Sequence, residues 1–161
     1  GQSALFDGLL SQAPTWDDVA WLQSVTRLPV LLKGILHPDD ARQAAALQVA
    51  GVIVSNHSGR TLDTAVSTAG ALPRIAEALR GELALLVDGG IRRGTDVLKA
   101  LAFGAHAVLV GRPAVQALAA NGPQGVALAL RLLRDELEIA MALTGCHTLK
   151  DVTPDLLWSD G

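Results

Sequence analysis

The feature that most constrains the fold is a set of four short apolar runs, rich in valine, isoleucine and leucine. They are Pro29–Lys33, Gly51–Ser55, Leu83–Asp88 and Ala105–Gly111. Apolar residues follow one another in these runs without alternating with polar ones, which is typical of strands covered on both faces. We therefore predict four buried strands.

Stretches with apolar residues at three- and four-residue spacing separate these runs and predict helices. They are Trp16–Val25, with Thr15 as its N-cap, then His37–Ala50, Leu72–Arg80, Gly94–Phe103 and Pro123–Leu143. The order is one helix followed by four strand–helix units. Such alternation predicts an α/β fold with a parallel sheet and right-handed crossovers.

Each predicted strand ends in polar or glycine-rich residues, such as Lys33, Asp88 and Arg112. In a (β/α)8 barrel the carboxyl ends of the strands build the active site, so these residues are expected to converge on one pocket. A complete barrel needs about 250 residues. With four units in 161 residues, the chain is expected to form half of a barrel.

Composition excludes several classes of protein. The net charge of −3 comes from interspersed acidic and basic residues, so we expect no nucleic-acid partner. No apolar run approaches the roughly 20 residues that span a bilayer, and no signal peptide is recognisable, which predicts a cytoplasmic protein without membrane association. The single cysteine, Cys146, has no partner for an internal disulfide.

Two strand ends carry groups suited to acid–base chemistry. His57 follows the second run, and Arg60 lies three residues later, which pairs a general base with a carboxylate clamp. Lys33 ends the first run, where its ammonium group could stabilise an anion or simply complete a polar pocket. We interpret His57 and Arg60 as functional and leave both roles open for Lys33.

The last two strand ends predict a phosphate site. Asp88–Arg92 combines two glycines with an arginine before a helix, and Gly111–Pro113 repeats the combination after the fourth strand. Backbone N–H groups at a helix N-terminus and guanidinium groups both bind anions. Glycine-rich ends on the last two barrel strands are the usual place for a bound phosphate.

The remaining residues that could carry chemistry are interpreted as structural. The other histidines, His37, His106 and His147, lack neighbouring carboxylates at ligand spacing, so no metal site is predicted. Cys146 is expected to pack rather than react. The tryptophans, Trp16, Trp21 and Trp158, are interpreted as packing or surface residues.

Several motifs in order resemble the FMN-dependent 2-hydroxy-acid oxidases and dehydrogenases, a family that includes glycolate oxidase, lactate oxidase, mandelate dehydrogenase and flavocytochrome b2. The resemblance runs from about Thr15 to Leu157. The segments that carry it are Trp16–Leu22, Leu28–Gly34, Ser55–Asp63, Val87–Val97, Val110–Pro113 and Leu143–Cys146.

The resemblance implies a role for each residue of the predicted site. It makes His57 the active-site base and Arg60 the group that binds the carboxylate of a small 2-hydroxy acid. It places Lys33 near the flavin edge that becomes negative on reduction, and Asp88 beside the ribityl chain. The remaining cofactor-binding residues are Ser55 together with those around the FMN phosphate, which are Gly89, Gly90, Arg92, Gly111 and Arg112.

The chain also departs from the family pattern. Ser58 stands where the family has glycine, and Thr61 where it usually has glutamine, which affects the geometry of the loop beside His57. The family's N-terminal half, with its substrate-contacting tyrosines, has no counterpart, and the chain has no tyrosine.

We therefore expect residues 15–161 to be the C-terminal half, strands five to eight, of an FMN-binding barrel. Residues 1–14 are expected to be the remnant of a mobile loop. The half-barrel should have two open sheet edges and one bare face, to be covered by the missing N-terminal half. The resemblance also implies a homo-oligomer, a tetramer.

The predicted activity is FMN-dependent oxidation of a 2-hydroxy acid to a 2-oxo acid. One alternative is a half-barrel module that binds FMN or a protein without turnover. Another is a different FMN barrel enzyme, such as the type 2 isopentenyl diphosphate isomerase, although an arginine clamp beside a base favours a hydroxy acid. The hydroxy acid, the final electron acceptor and the choice between carbanion and hydride routes stay open.

Overall fold

The computed structural model describes Ser3, Ala4, Gly8 and residues 10–158. The chain divides into two units, Gly1–Val30 and Leu31–Gly161. Part of the segment 1–14, expected to be a loop remnant, lies outside the described residues. The first unit contains a 3-10 turn, Leu10–Gln12, and helix α1, Trp16–Val25, with the predicted Thr15 as N-cap.

The second unit alternates strands and helices as predicted. Its four strands form one parallel sheet in the order β1-β2-β3-β4, so sequential strands are neighbours. Two 3-10 turns, Leu149–Asp151 and Pro154–Leu156, follow the last helix. The elements are β1 (Leu31–Ile35), α2 (Pro38–Ala46), β2 (Gly51–Val54), α3 (Thr68–Leu79), β3 (Ala84–Val87), α4 (Gly94–Ala102), β4 (Ala107–Val108) and α5 (Arg112–Leu143).

The two faces of the sheet are buried to different degrees. Val52 and Val54 are completely buried on the face that the helices cover, and Leu85 and Val87 continue this layer. Successive side chains of a strand point to opposite faces. The alternate residues, Leu31, Ile53, Ala84 and Leu86, are exposed or half-buried. Among the described residues, the strands are thus more deeply buried on one face than on the other, as expected for half of a barrel.

Strand β4 is shorter than the predicted run Ala105–Gly111, and just before its start a side chain takes over part of the pairing. The backbone N–H of His106 donates to the Leu85 carbonyl at 2.7 Å. The N–H of Leu85 in turn donates to the imidazole Nδ1 of His106 at 3.0 Å. His106 therefore pairs the start of β4 with β3 through its side chain.

Two helix boundaries differ from prediction for local reasons. Helix α3 begins four residues before the predicted Leu72, because Ser67 caps it by accepting a hydrogen bond from the N–H of Gly70 at 3.2 Å. Helix α2 ends at Ala46 rather than Ala50, since Gln48 turns the chain with φ of 55°. In both cases the capping geometry overrides the apolar periodicity.

Helix α5 contains a segment that the sequence analysis missed. It was predicted over Pro123–Leu143 but begins at Arg112, and a kink at Asn121 and Gly122 divides it into two segments. Gly122 and Pro123 are typical of a helix start. They mark the start of the second segment, while the alanine-rich first segment, 112–120, precedes them.

A glycine allows α4 and α5 to approach closely. A Cβ atom on Gly94 would lie 2.1 Å from the backbone nitrogen of Leu137 and 2.3 Å from the carbonyl carbon of Glu136. The carboxylate of Glu136 accepts a hydrogen bond from the N–H of Gly94 at 2.8 Å and forms an ion pair with Arg93 at 3.0 Å. The Glu136 side chain of α5 thus caps the start of α4. This cap depends on the close approach of the two helices at Gly94.

We expect Gly94→Ala to lower the free energy of unfolding of the protein by about 3 kcal/mol. The added methyl group would meet backbone atoms, which cannot move aside without separating the two helices. Urea unfolding measures the change, with Thr95→Ala, at an exposed neighbouring position of α4, as control. A Gly94→Ala protein as stable as this control would contradict the close packing.

The Gly94 hydrogen bond lowers the pKa of Glu136, and Arg93 lowers it further. A carboxylate with a lowered pKa stabilises the fold above its ordinary pKa, and this stabilisation disappears as pH falls through the lowered value. Glu136→Gln should therefore destabilise the protein at neutral pH, and the difference from wild type should shrink below about pH 4.

Urea unfolding at a series of pH values checks this expectation. Glu77→Gln on α3 is the matched control, because the Glu77 carboxylate makes no hydrogen bond or ion pair with the described residues. A difference between wild type and Glu136→Gln that stays constant from neutral to acid pH would contradict the assigned role.

Candidate active site

Three of the predicted site residues meet at the carboxyl edge of the sheet. The Nζ of Lys33 lies 2.7 Å from Oδ2 of Asp88 and 2.6 Å from Oγ of Ser55. Ser55 directly follows β2 and is almost completely buried, and Asp88 directly follows β3. The ammonium group thus joins the ends of three adjacent strands.

A bulge in β1 lies next to this contact. Lys33 pairs with Ile53 and Ile35 pairs with Val54, so Gly34 is an extra residue without a partner in β2. Its φ of 101° is a conformation that L side chains rarely adopt. Strand β1 therefore continues to Ile35 instead of ending at the predicted Lys33, and the bulge lies beside Lys33. Bulges often occur next to active sites, where they redirect a side chain.

His57 and Arg60 lie in a tight turn that follows β2. The turn His57–Gly59 is a single 3-10 turn, and the N–H of Arg60 donates to the carbonyl of His57 at 3.4 Å. The N–H of His57 donates to Oγ of Ser55 at 3.3 Å, which connects the turn to Lys33. The imidazole and the guanidinium are exposed and make no hydrogen bond or ion pair with the residues that the structure describes.

Two residues that the sequence analysis did not single out hold this region. The Nδ2 of Asn56 donates to the carbonyl of Val66 at 3.2 Å and so closes the loop that contains His57 and Arg60. The buried Thr68 hydroxyl donates to the carbonyl of Gly89 at 3.4 Å. Asn56 belongs to the quoted motif, but nothing in the sequence signals the contact of Thr68.

An open cavity of about 380 Å³ lies beside the carboxyl ends of β3 and β4. It contains the residues predicted to hold a phosphate, together with others that the sequence did not indicate, among them Gln116 of α5. Its volume is within the usual range of ligand sites. The lining residues are Ser58, Asp88, Gly89, Gly90, Ile91, Arg92, Leu109, Gly111, Arg112, Pro113 and Gln116.

The start of α4 differs from the expected anion site. The backbone N–H groups of Arg92 and Arg93 both donate to the Asp96 carboxylate at 2.9 Å, and that of Gly94 donates to Glu136. These amides are therefore already engaged by carboxylates. An anion in the cavity would be held by the two arginine side chains and by the backbone around Gly89, Gly90 and Gly111.

One atom of the cavity wall lacks a partner. Oδ1 of Asp88 is buried and accepts no hydrogen bond from the described residues, while Oδ2 of the same carboxylate binds Lys33. A buried acceptor without a donor is costly, so a ligand hydroxyl here would be favourable. A cofactor with both a phosphate and a polyol chain, as FMN has, fits these residues.

The other candidate groups have structural roles. Nδ1 of His37 accepts a hydrogen bond from the N–H of Asp39 at the start of α2. Cys146 is buried in a cluster with Leu98, Ala140 and Val152. In the part of the chain that the structure describes, no group of three or more metal-ligating side chains occurs, and no helix is long and apolar enough to cross a membrane.

Comparison with known proteins matches this chain to one family and to several of its members. The model of the FMN-dependent dehydrogenase family matches residues 1–159. An L-lactate oxidase of Roseobacter sp. (strain GAI101) is 53% identical over 157 residues, which are 98% of this chain and 42% of the relative. A 2-hydroxyacid oxidase of Dictyostelium discoideum is 51% identical over 93% of this chain and 39% of its own length.

Solved structures of mandelate oxidase match the fold. One, of a mutant mandelate oxidase with (S)-mandelic acid, has a TM-score of 0.84 at 50% identity, and the match covers 86% of this chain and 42% of that chain. Another, with a monooxide FMN adduct, has the same TM-score and covers 44% of that chain. This chain thus spans about two fifths of the length of these proteins.

These matches agree with the parallel α/β sheet of the second unit. The matched part of the relatives corresponds to the C-terminal half of a (β/α)8 barrel, which confirms the predicted fold class. FMN is the cofactor of the matched family, as the resemblance predicted. The chain belongs to the family of FMN-dependent dehydrogenases.

Proposed function

We propose that this chain supplies the C-terminal half-barrel, residues 15–161, of an enzyme that uses FMN to oxidise a small 2-hydroxy acid to a 2-oxo acid. The observation that carries the proposal is the contact of Lys33 with Ser55 and Asp88, adjacent to a cavity with two arginines. It brings together, at one edge of the sheet, a cationic group, the turn that contains the proposed base His57, and a cavity lined by two arginines.

The cavity supports the placement of the FMN phosphate. Arg92 and Arg112 give it a positive charge, and a guanidinium binds a phosphate through two parallel hydrogen bonds. Gly89 and Gly90 have φ of 86° and 80°, and the absence of side chains lets an anion approach their backbone. Asp88 would accept a hydrogen bond from the ribityl chain through its free oxygen.

Lys33 would act on the flavin ring. When bound, FMN takes up the two electrons that leave the α-carbon of the hydroxy acid. The ammonium group of Lys33 would stabilise the negative charge that these electrons bring. Because Asp88 and Ser55 hold Nζ from two sides, this charge is positioned before any ligand arrives.

His57 and Arg60 would act on the substrate. Arg60 fixes the carboxylate, because a planar guanidinium matches its two oxygens. His57 accepts the proton that the substrate loses. Both side chains lack partners among the described residues, so a substrate would not have to displace an existing contact. The hydroxyl oxygen of Ser55 would keep the histidine in place by accepting a hydrogen bond from the backbone N–H of His57.

The bare face of the sheet supports an N-terminal half that completes the barrel. Leu31 is 38% exposed, and Ile53 and Leu86 on the same face are half-buried. In a barrel these positions form the packed interior. Mandelate oxidase has been solved with (S)-mandelic acid and with benzoyl-formic acid, a 2-hydroxy acid and the corresponding 2-oxo acid. We propose the same class of substrate here.

The proposal is tested by flavin reduction in the complete polypeptide that contains this chain, loaded with FMN and mixed with a 2-hydroxy acid in a stopped-flow instrument. His57→Ala should retain FMN, and its rate of flavin reduction should fall by a factor of roughly 10² to 10⁴. His147→Ala, an exposed histidine in the tail, is the matched control and should reduce at the wild-type rate. Wild-type reduction in His57→Ala would contradict the assignment of the base.

Arg60→Lys tests the clamp separately in the same instrument. A lysine keeps the charge but cannot form the bidentate contact, so the substrate concentration for half-maximal reduction should rise while FMN binding is retained. Arg131→Lys, an exposed change on α5, is the control. An unchanged dependence on substrate concentration in Arg60→Lys would show that Arg60 does not bind the carboxylate.

A further inference from the structure

One residue of the turn His57–Gly59, which is Ser58, lines the cavity. Among the described residues that line it, Ser58 alone comes from the loop after β2, and the others come from the loops after β3 and β4 and from the start of α5. Its neighbours His57 and Gly59 are not part of the lining. Ser58 is therefore the point at which the loop with the base and the clamp meets the cavity.

The backbone of Ser58 is in a conformation that suits glycine. It has φ of 61° and ψ of 29°, and it lies between His57 with φ of 51° and Gly59 with φ of 70°. A residue with a Cβ atom is destabilised in this left-handed region, and such strain is concentrated at functional sites. Compared with the glycine of the family pattern, serine adds a hydroxyl group to a residue that lines the cavity.

The hydroxyl of Ser58 is available to a ligand. It makes no hydrogen bond with the residues that the structure describes, and Ser58 is exposed. The charged groups of the cavity wall are Arg92, Arg112 and the Asp88 carboxylate. An anion held by the arginines would thus face one neutral O–H donor on the side of the β2 loop, and hydroxyl groups donate well to phosphate oxygens.

We propose that Ser58 is a ligand of the FMN phosphate in this protein. Its O–H donates to a phosphate oxygen and thereby ties the loop with His57 and Arg60 to the occupied cavity. The inference rests on the proposed placement of the FMN phosphate between Arg92 and Arg112. It adds to that placement a contact that links cofactor binding to the order of the catalytic loop.

The test compares two ligands that differ only in the phosphate. FMN and riboflavin are titrated into the flavin-free form of the complete polypeptide, and quenching of flavin fluorescence gives each dissociation constant. Ser58→Ala should weaken FMN binding by roughly tenfold, as the loss of a hydrogen bond to a charged group predicts. Riboflavin binding should not change.

Ser58→Gly separates the hydroxyl from the backbone strain. Glycine adopts the observed φ without cost, so this variant keeps the turn and should lose the same affinity for FMN as Ser58→Ala. Thr61→Ala removes a hydroxyl from the same loop at a position outside the cavity lining, and it should bind FMN as wild type does.

Three results would overturn the inference. They are wild-type FMN affinity in both Ser58 variants, an equal loss of FMN and riboflavin affinity, and a loss in Ser58→Ala that Ser58→Gly does not share. Failure of the underlying placement would look different, because Arg112→Ala would then bind FMN as tightly as wild type. The two hypotheses are thus tested by different variants.

Limited trypsin digestion tests whether the contact between Ser58 and FMN orders the loop that contains His57 and Arg60. Arg60 is an exposed trypsin site in this loop, so FMN should slow cleavage after Arg60 in the wild-type polypeptide, as followed by mass spectrometry. At saturating FMN the protection should be several-fold weaker in Ser58→Ala. If FMN slowed cleavage after Arg60 equally in the two proteins, Ser58 would not connect FMN binding to the order of this loop.

Discussion

The ammonium group of Lys33 connects the carboxyl ends of three adjacent strands. It binds Asp88, which follows β3, and Ser55, which follows β2. The hydroxyl oxygen of Ser55 in turn accepts a hydrogen bond from the backbone N–H of His57. Charged hydrogen bonds are shorter and stronger than neutral ones, so this chain of contacts sets the positions of the groups around it. These contacts connect both the turn that contains His57 and the Asp88 side of the cavity wall to Lys33.

The second constraint is the difference between the two faces of the sheet. Helices bury Val52, Val54, Leu85 and Val87, whereas the opposite face contains Leu31 and other apolar residues in contact with solvent. Exposed apolar area of this kind indicates a surface that another element covers. The proposed N-terminal half-barrel would bury it and would bring further residues to the edge where Lys33, Ser55 and Asp88 meet.

Much of the fold could be predicted from local patterns. The four apolar runs predicted the strands and their order. The helices between the runs predicted that the strands are parallel, because parallel strands are joined by crossover connections that usually contain a helix. The polar strand ends specified which residues share an edge. The boundaries that failed depended on single contacts, such as the imidazole of His106 replacing a backbone acceptor of β4 and Ser67 capping α3.

The details of the site depended on contacts between residues distant in sequence. Asp96 and Glu136 occupy the amides that were expected to bind an anion, and an apolar periodicity contains no information about such side-chain caps. Thr68 reaches Gly89 across 21 positions, and Ser58 reaches the cavity through a left-handed turn. The residue types of the site were predictable, whereas the partners of their polar atoms required the structure.

A crystal structure of the FMN-loaded protein tests most directly whether the cavity beside β3 and β4 holds the phosphate of FMN. We expect the phosphate between the guanidinium groups of Arg92 and Arg112, with a ribityl hydroxyl donating a hydrogen bond to Oδ1 of Asp88. A phosphate bound elsewhere, with Oδ1 of Asp88 still lacking a donor, would contradict it.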